Sequence, residues 1–146
     1  MGRDCSLANY SRVIVQVRLD YLILVCLLFA GDCYGAITVE DDLMNKVELA
    51  EPAQRIISLA PHLTEILFSL DVGDLIKGTS RFSDYPDAAL DIPVVGDAFT
   101  VSVEAVVELQ PDIIFAWSTG GANRSLERLK RLGYPIYVNE ARTLKD

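Results

Sequence analysis

From Arg55 to Asn139 short apolar runs alternate with segments of helical period, and that alternation narrows the possible folds more than any other feature of the chain. Arg55–Ala60 (Arg-Ile-Ile-Ser-Leu-Ala) is a short apolar run of the kind that forms a strand covered on both faces. Leu63, Ile66, Leu67 and Leu70 then recur along one helical face, which predicts a helix with Gly73 at its C′ position. Leu75–Thr79 reads as a second strand and Val94–Val95 as a short third one. Ser102 is placed to cap a helix whose apolar side is Val103, Val106, Val107 and Leu109, and Pro111 stops it. Asp112–Trp117 is the clearest buried strand. Asn123 is expected to cap a further helix carrying Leu126, Leu129 and Leu132, with Glu127 and Arg131 as an i,i+4 pair. Gly133 and Pro135 close that helix, and Ile136–Asn139 is the last strand. Strands alternating with helices imply parallel strands joined by right-handed crossovers, so the fold class is α/β. In such sheets ligands sit beyond the carboxyl ends of the strands. The pattern therefore sends Pro61, His62, Ser80–Phe82, Gly96–Phe99, Trp117–Gly121 and Asn139 to one rim.

The segment before this alternation has a different character. Arg3, Arg12 and Arg18 precede an apolar run from Tyr21 to Ala30, followed by the small or turn-forming residues Gly31, Gly35 and Ala36. A basic region, a short apolar stretch and small residues in that order predict a cleaved secretory signal over residues 1–36, and the run is short of the roughly 20 apolar residues that span a bilayer. Cys5, Cys26 and Cys33 all lie in or beside this leader, so the exported domain is expected to carry no thiol or disulfide. Asp32 before Cys33 disfavours a lipid-attachment site, which needs a small residue there. Residues 37–54 are polar and acidic without a clear period and read as a linker or edge segment. Residues 55–146 are left as the folded lobe. From Ile37 onward 10 Lys and Arg face 18 Asp and Glu, so the whole net charge of −8 belongs to that region. That acidity excludes a nucleic-acid partner, which wants a basic face.

Signatures of catalysis are missing. No Gly-x-Gly-x-x-Gly, no Gly-x-x-x-x-Gly-Lys-Ser/Thr loop and no Gly-x-Ser-x-Gly elbow occurs, so dinucleotide binding, nucleotide hydrolysis and a serine triad have no anchor. His62 is the only histidine, too few for a zinc site without cysteines, and it reads as a polar residue at a helix start. Gly120-Gly121 before a helix reads as a flexible turn, with an anion seat as the sharper alternative. Asp84 and Asp87 flank Tyr85-Pro86 and read as turn formers. Phe82, Phe99 and Trp117 differ, because three aromatics at one rim exceed what strand ends need.

Four segments in order carry a resemblance. Arg55-Ile56-Ile57-Ser58-Leu59-Ala60-Pro61, Thr64-Glu65-Ile66-Leu67, Ser83-Asp84-Tyr85-Pro86, and Leu109-Gln110-Pro111-Asp112-Ile113-Ile114-Phe115-Ala116-Trp117 resemble the class III periplasmic substrate-binding proteins of ABC importers, which deliver cobalamin, iron-siderophores or haem. The cobalamin-binding members are nearest, on the Ser-Asp-Tyr-Pro segment. The resemblance implies a Rossmann-like parallel-sheet lobe with helices on both faces, the first of two lobes that enclose a ligand between them. It implies that Phe82, standing where cobalamin-binding members have a tyrosine, packs on the corrin. Trp117 would be a pocket tryptophan, Pro61 a residue of the cleft wall, and Phe99 a substitute for the aromatic that those members carry at Ala98. Glu104 would dock on the membrane permease, its place in the first turn of a helix suiting a solvent-facing carboxylate.

The resulting expectation is an exported, non-enzymatic binding lobe of an ABC importer, working in the periplasm with a permease and its ATPase. It would be monomeric, with no cofactor beyond its transported ligand, cobalamin or another metal chelate. A single lobe offers half a pocket wall, so weak or undetectable affinity is expected of it. Three alternatives stand beside this one: an iron-siderophore or haem carrier of the same family, a sheet-rim enzyme using Asp84 or Glu140 as a base, and a truncated fragment without function.

Overall fold

Five short strands, all parallel, carry the lobe in the computed structural model, which describes residues 35–97, 99–118 and 122–140. The secretory signal expected over residues 1–36 therefore lies, apart from Gly35 and Ala36, outside the described residues, as do Ala98, Gly120 and Gly121. In chain order the sheet strands are β3 (Ile56–Ser58), β4 (Ile76–Ser80), β5 (Val94–Gly96), β6 (Ile113–Trp117) and β7 (Ile136–Asn139). The helices are α1 (Pro61–Ser69), α2 (Val103–Glu108) and α3 (Asn123–Arg131). Side by side the strands run β5-β4-β3-β6-β7. The chain thus builds outward in one direction from β3, returns, and builds outward in the other, so the order reverses between β3 and β6. The α/β reading of the sequence holds element by element.

Period-2 alternation sorts the strand residues onto two covered faces. Ile57, Ile114 and Ala116 point to the side on which Val103 and Val106 of α2 and Leu129 of α3 pack. Ile56, Ile76 and Ile113 point to the other, where Leu67 of α1 and Val47 cover them. Ile57, Ile114, Val106 and Leu129 are completely buried, and each contributes about 1.5–3 kcal/mol of burial free energy. Helices on both faces explain why the strand runs look continuously apolar rather than alternating.

Val47 belongs to a segment that the sequence left as a linker or edge. Residues 37–54 instead hold an antiparallel hairpin, β1 (Ile37–Glu40) and β2 (Lys46–Leu49). Its turn is organised by the buried Asp41, whose carboxylate accepts from the backbone of Leu43 at 3.0 Å and Asn45 at 2.7 Å and from the Asn45 side chain. The turn also closes the outer edge of β7. The Asp42 amide donates to the Val138 carbonyl at 3.1 Å, and the Asp42 carboxylate accepts from the Asn139 side chain at 3.0 Å and the Glu140 amide at 2.6 Å. An edge strand of unpaired backbone groups is thereby covered. The polar, acidic composition that hid the hairpin is what the edge closure needs.

Three local expectations are corrected. The first helix stops at Leu70, and Asp71 with φ 59° takes the left-handed position assigned to Gly73. Gly73 instead lies close against the Phe68 ring, where an added Cβ would stand at 2.3 Å and force the ring to shift. Asn123 does not cap α3; the N-cap is Ala122 without a side-chain bond. The cause is that the Ser125 and Leu126 amides already bond the Ala122 carbonyl, which starts the helix one residue earlier. The ion pair of α3 is not Glu127 with Arg131 but Arg128 with Glu104 of α2, at 3.1 Å. The Ser102 cap forms as expected, its hydroxyl accepting from the Ala105 amide at 3.2 Å.

Candidate functional site

The reversal of strand order between β3 and β6 leaves a crevice at their carboxyl ends, because the connections leaving the two strands depart to opposite sides. A cleft of about 80 Å3 lies there. Its walls are Leu59, Ala60, Pro61 and His62 after β3, Ala116 and Trp117 at the end of β6, Asp97 after β5, and Ala122 and Leu126 at the start of α3. Pro61 opens α1, where its fixed φ and missing amide hydrogen suit the first helical position. His62 follows it and meets Trp117 edge to face, ring centroids 5.6 Å apart and planes at 82°. Trp117 keeps 40% of its surface exposed, whereas the rest of its strand is buried or half-buried.

Two further aromatics stand on loops leaving the same rim. Phe82 follows β4 with φ 69°, a left-handed conformation that costs free energy for a residue with a Cβ, and its side chain is 75% exposed. Four buried hydroxyls lie beneath that turn. Thr64 Oγ1 is 2.8 Å from Ser58 Oγ and 3.2 Å from both the Ala60 carbonyl and Ser83 Oγ, and Ser83 Oγ is in turn 3.2 Å from Ser80 Oγ. The network joins the end of β3, the first turn of α1, the end of β4 and the residue after Phe82. The Ser83-Asp84-Tyr85-Pro86 segment thus begins on a fixed point, and Tyr85, 67% exposed, is an aromatic of this loop that the sequence reading did not single out.

Phe99, also 75% exposed, stands at the tip of a tight loop after β5. The Asp97 carboxylate accepts from the amides of Phe99 at 2.9 Å and Thr100 at 2.8 Å, and the Asp97 amide donates to the Thr100 carbonyl. Those amide bonds, with Arg81 nearby, hold the Asp97 carboxyl below its ordinary range. Gly96 is obligatory at the loop's root, since a Cβ would meet the Thr100 carbonyl oxygen at 2.3 Å.

Phe82, Phe99 and Trp117 therefore leave the same end of one parallel sheet, with Pro61 and His62 between them. Glu104 is placed apart, 73% exposed in the first turn of α2 and paired with Arg128 across the helix surface. Asp84 and Asp87 are in the turn region before β5 that their composition predicted, with Asp87 opening a short 3-10 segment. Two of the recurrent motif residues are structural. Arg55 donates to the carbonyls of Leu109 and Gln110 at the end of α2, and Asp112 accepts from the amides of Gln54 and Arg55, so the pair clamps the opposite end of the sheet. A separate groove of about 540 Å3 runs along the β7 side between hairpin and α3. It is lined by opposed charges such as Lys46, Glu48, Glu127 and Lys130 and holds none of the rim aromatics.

Comparison with known proteins agrees with this architecture. A vitamin B12-binding protein of Vibrio cholerae is 43% identical over 95 residues, which are 65% of this chain and 34% of that protein. The crystal structure of the periplasmic vitamin B12 binding protein of Vibrio cholerae superposes with a TM-score of 0.61 at 44% identity, covering 64% of this chain and 36% of that one. A periplasmic heme-binding protein from Roseiflexus superposes with a TM-score of 0.57 at 26% identity, covering 60% and 34% respectively. The chain spans about a third of the length of the curated relatives it matches. Residues 56–143 match the model of the periplasmic binding protein family, and with that match over the whole parallel sheet the chain belongs to this family.

Proposed function

We propose that this chain is a binding lobe of an ABC importer, that it holds a corrinoid of the cobalamin type against its aromatic rim, and that it acts by capture and delivery rather than by catalysis. The observation that carries the reading is the set of exposed rings, Phe82, Phe99 and Trp117, at the crevice end of the sheet. A large flat macrocycle is held mainly by apolar contact with rigid rings plus a few polar groups, and exposed aromatic area on an otherwise well-packed lobe fits that use. The strained Phe82 backbone and the built loop under Phe99 keep those rings out in solvent, where they add nothing to the core. The similarity to vitamin B12-binding proteins supports a corrinoid among flat chelates. In this reading the protein works in the periplasm after loss of residues 1–36, and 55–146 form the first lobe of a two-lobed clamp, with the hairpin of 37–54 as its edge cover. Glu104 presents its carboxylate to a permease coupled to an ATPase.

The test is a titration of the 15N-labelled chain with cyanocobalamin, followed by amide shifts. Saturable shifts centred on Phe82, Phe99 and Trp117 are expected. Their midpoint should lie in the high-micromolar to millimolar range, since one wall supplies only about −4 to −5.5 kcal/mol. A parallel panel of haem and a ferric siderophore should bind more weakly. Tighter binding of haem would move the assignment to a haem carrier, and shifts confined to the β7-side groove would overturn the placement of the site.

A further inference from the structure

The sequence makes His62 a bland polar residue at a helix start, and the structure gives it a more specific position. It is the only histidine of the chain and it contacts the only tryptophan. Its ring is half-buried in the cleft wall, where it meets Trp117 edge to face. Here the perpendicular arrangement, centroids 5.6 Å apart at 82°, directs the electropositive edge of one ring toward the electron-rich face of the other.

The backbone fixes both partners independently. Trp117 is the last residue of β6, in register with Asn139 of β7 on one side. His62 is held on the other side by the first turn of α1, which Pro61 begins and the Thr64 amide closes onto the Ala60 carbonyl at 3.1 Å. An indole that is 40% exposed at a strand terminus otherwise has open space in which to change rotamer.

We propose that His62 is the positioning residue for Trp117: by packing edge to face it selects one orientation of the indole and so presents a preset flat wall at the crevice. This rests on the reading of Trp117 as a ligand wall, and its consequence is that His62 sets affinity without needing to bond the ligand. Preorganisation of this kind raises affinity by removing the ordering of a side chain from the binding step.

The single tryptophan makes the test direct. In the ligand-free chain, His62→Ala and His62→Gln are expected to raise acrylamide quenching and lower the fluorescence anisotropy of Trp117, while His62→Phe, which keeps a ring, restores both to parental values. Thermal midpoints should stay together across the series, since the contact lies at the surface. For cyanocobalamin, His62→Ala and His62→Gln should weaken binding about twofold to tenfold, the range set by loss of one aromatic pair, with His62→Phe restoring it. Unchanged Trp117 emission in His62→Ala, or failure of the phenylalanine to restore it, overturns the positioning role. Loosened emission combined with corrinoid binding that Trp117→Ala leaves unaltered would keep the contact and overturn the binding reading instead.

Discussion

Thr64→Val removes the centre of the hydroxyl network under the Phe82 turn and keeps the side chain's shape. Thr64 is completely buried, and its Oγ1 stands within bonding distance of Ser58 Oγ at 2.8 Å and Ser83 Oγ at 3.2 Å, besides its back-bond to the Ala60 carbonyl. Ser58 retains the Ala60 carbonyl at 3.3 Å and Ser83 retains Ser80 at 3.2 Å, so neither survivor is orphaned. The Ala60 carbonyl keeps the Ser58 hydroxyl and the Thr64 amide, so the loss counted is the two hydroxyl–hydroxyl bonds at about 1 kcal/mol each, partly offset by burying an additional methyl worth up to ~0.8 kcal/mol. A net destabilisation of about 1–2 kcal/mol follows, equivalent to about 5–15 °C in a domain of this size. Urea denaturation at constant m measures it. A cycle with Ser83→Ala should show coupling of about 0.5–1 kcal/mol, because both variants remove the same contact. A Thr64→Val protein as stable as its parent, or strict additivity with Ser83→Ala, would refute the view that this network holds the loop.

Other outcomes follow from single features. Phe82→Asn is expected to keep or slightly raise stability, by up to about 1 kcal/mol, because asparagine tolerates the left-handed backbone and the lost ring is exposed. The same change should abolish the corrinoid-induced shifts at the loop, and a loss of more than about 1 kcal/mol would mean that the ring packs for folding. Gly96→Ala drives a Cβ into backbone that cannot yield, so it should cost at least about 2 kcal/mol and broaden the Phe99 amide signal; a silent substitution there disproves the close approach. Burial pushes the Asp41 carboxyl up, and bonds from Asn45, Leu43 and Val138 outweigh it, leaving it below its ordinary value. Its folded value being depressed, the stability it confers is present above the unfolded value of about 4 and is lost as pH falls through the folded one. Asp41→Asn should flatten that acid limb of a stability–pH curve, and an unaltered limb assigns the effect elsewhere. Glu104→Ala, removing an exposed ion pair, should alter stability by no more than about 0.5 kcal/mol and leave ligand shifts intact while weakening association with a permease; unchanged association removes the docking role.

The strands and helices were readable because each lies on a covered face and so carries a clear period. Ile56 and Ile57 face opposite covered sides, as do Ile113 and Ile114, and runs of that kind have few other uses. Residues fixed by long-range pairing were not readable. The hairpin of Ile37–Leu49 is stabilised by Asp41 and Asp42 reaching β7, almost a hundred residues later, and nothing in its local pattern announces that. Of the rim, Phe82, Phe99, Trp117 and Pro61 followed from the parallel topology, which sends every strand's end one way. The pairing of His62 with Trp117 did not, because it depends on β3 and β6 being neighbours, a fact of strand order. The same order explains why Arg55 and Asp112, prominent in the sequence, bond each other's strands at the far end of the sheet instead of touching the crevice.

Strand order also grades how firmly each ring is held. Trp117 and Phe82 extend from β6 and β4, inner strands with a neighbour on each side, whereas Phe99 hangs from β5, a three-residue strand at the margin. Marginal strands open more often than inner ones. Amide exchange should therefore be faster at the Phe99 loop than at the ends of β4 and β6, so that the lobe loosens its grip first at the periphery and keeps the other two rings in place.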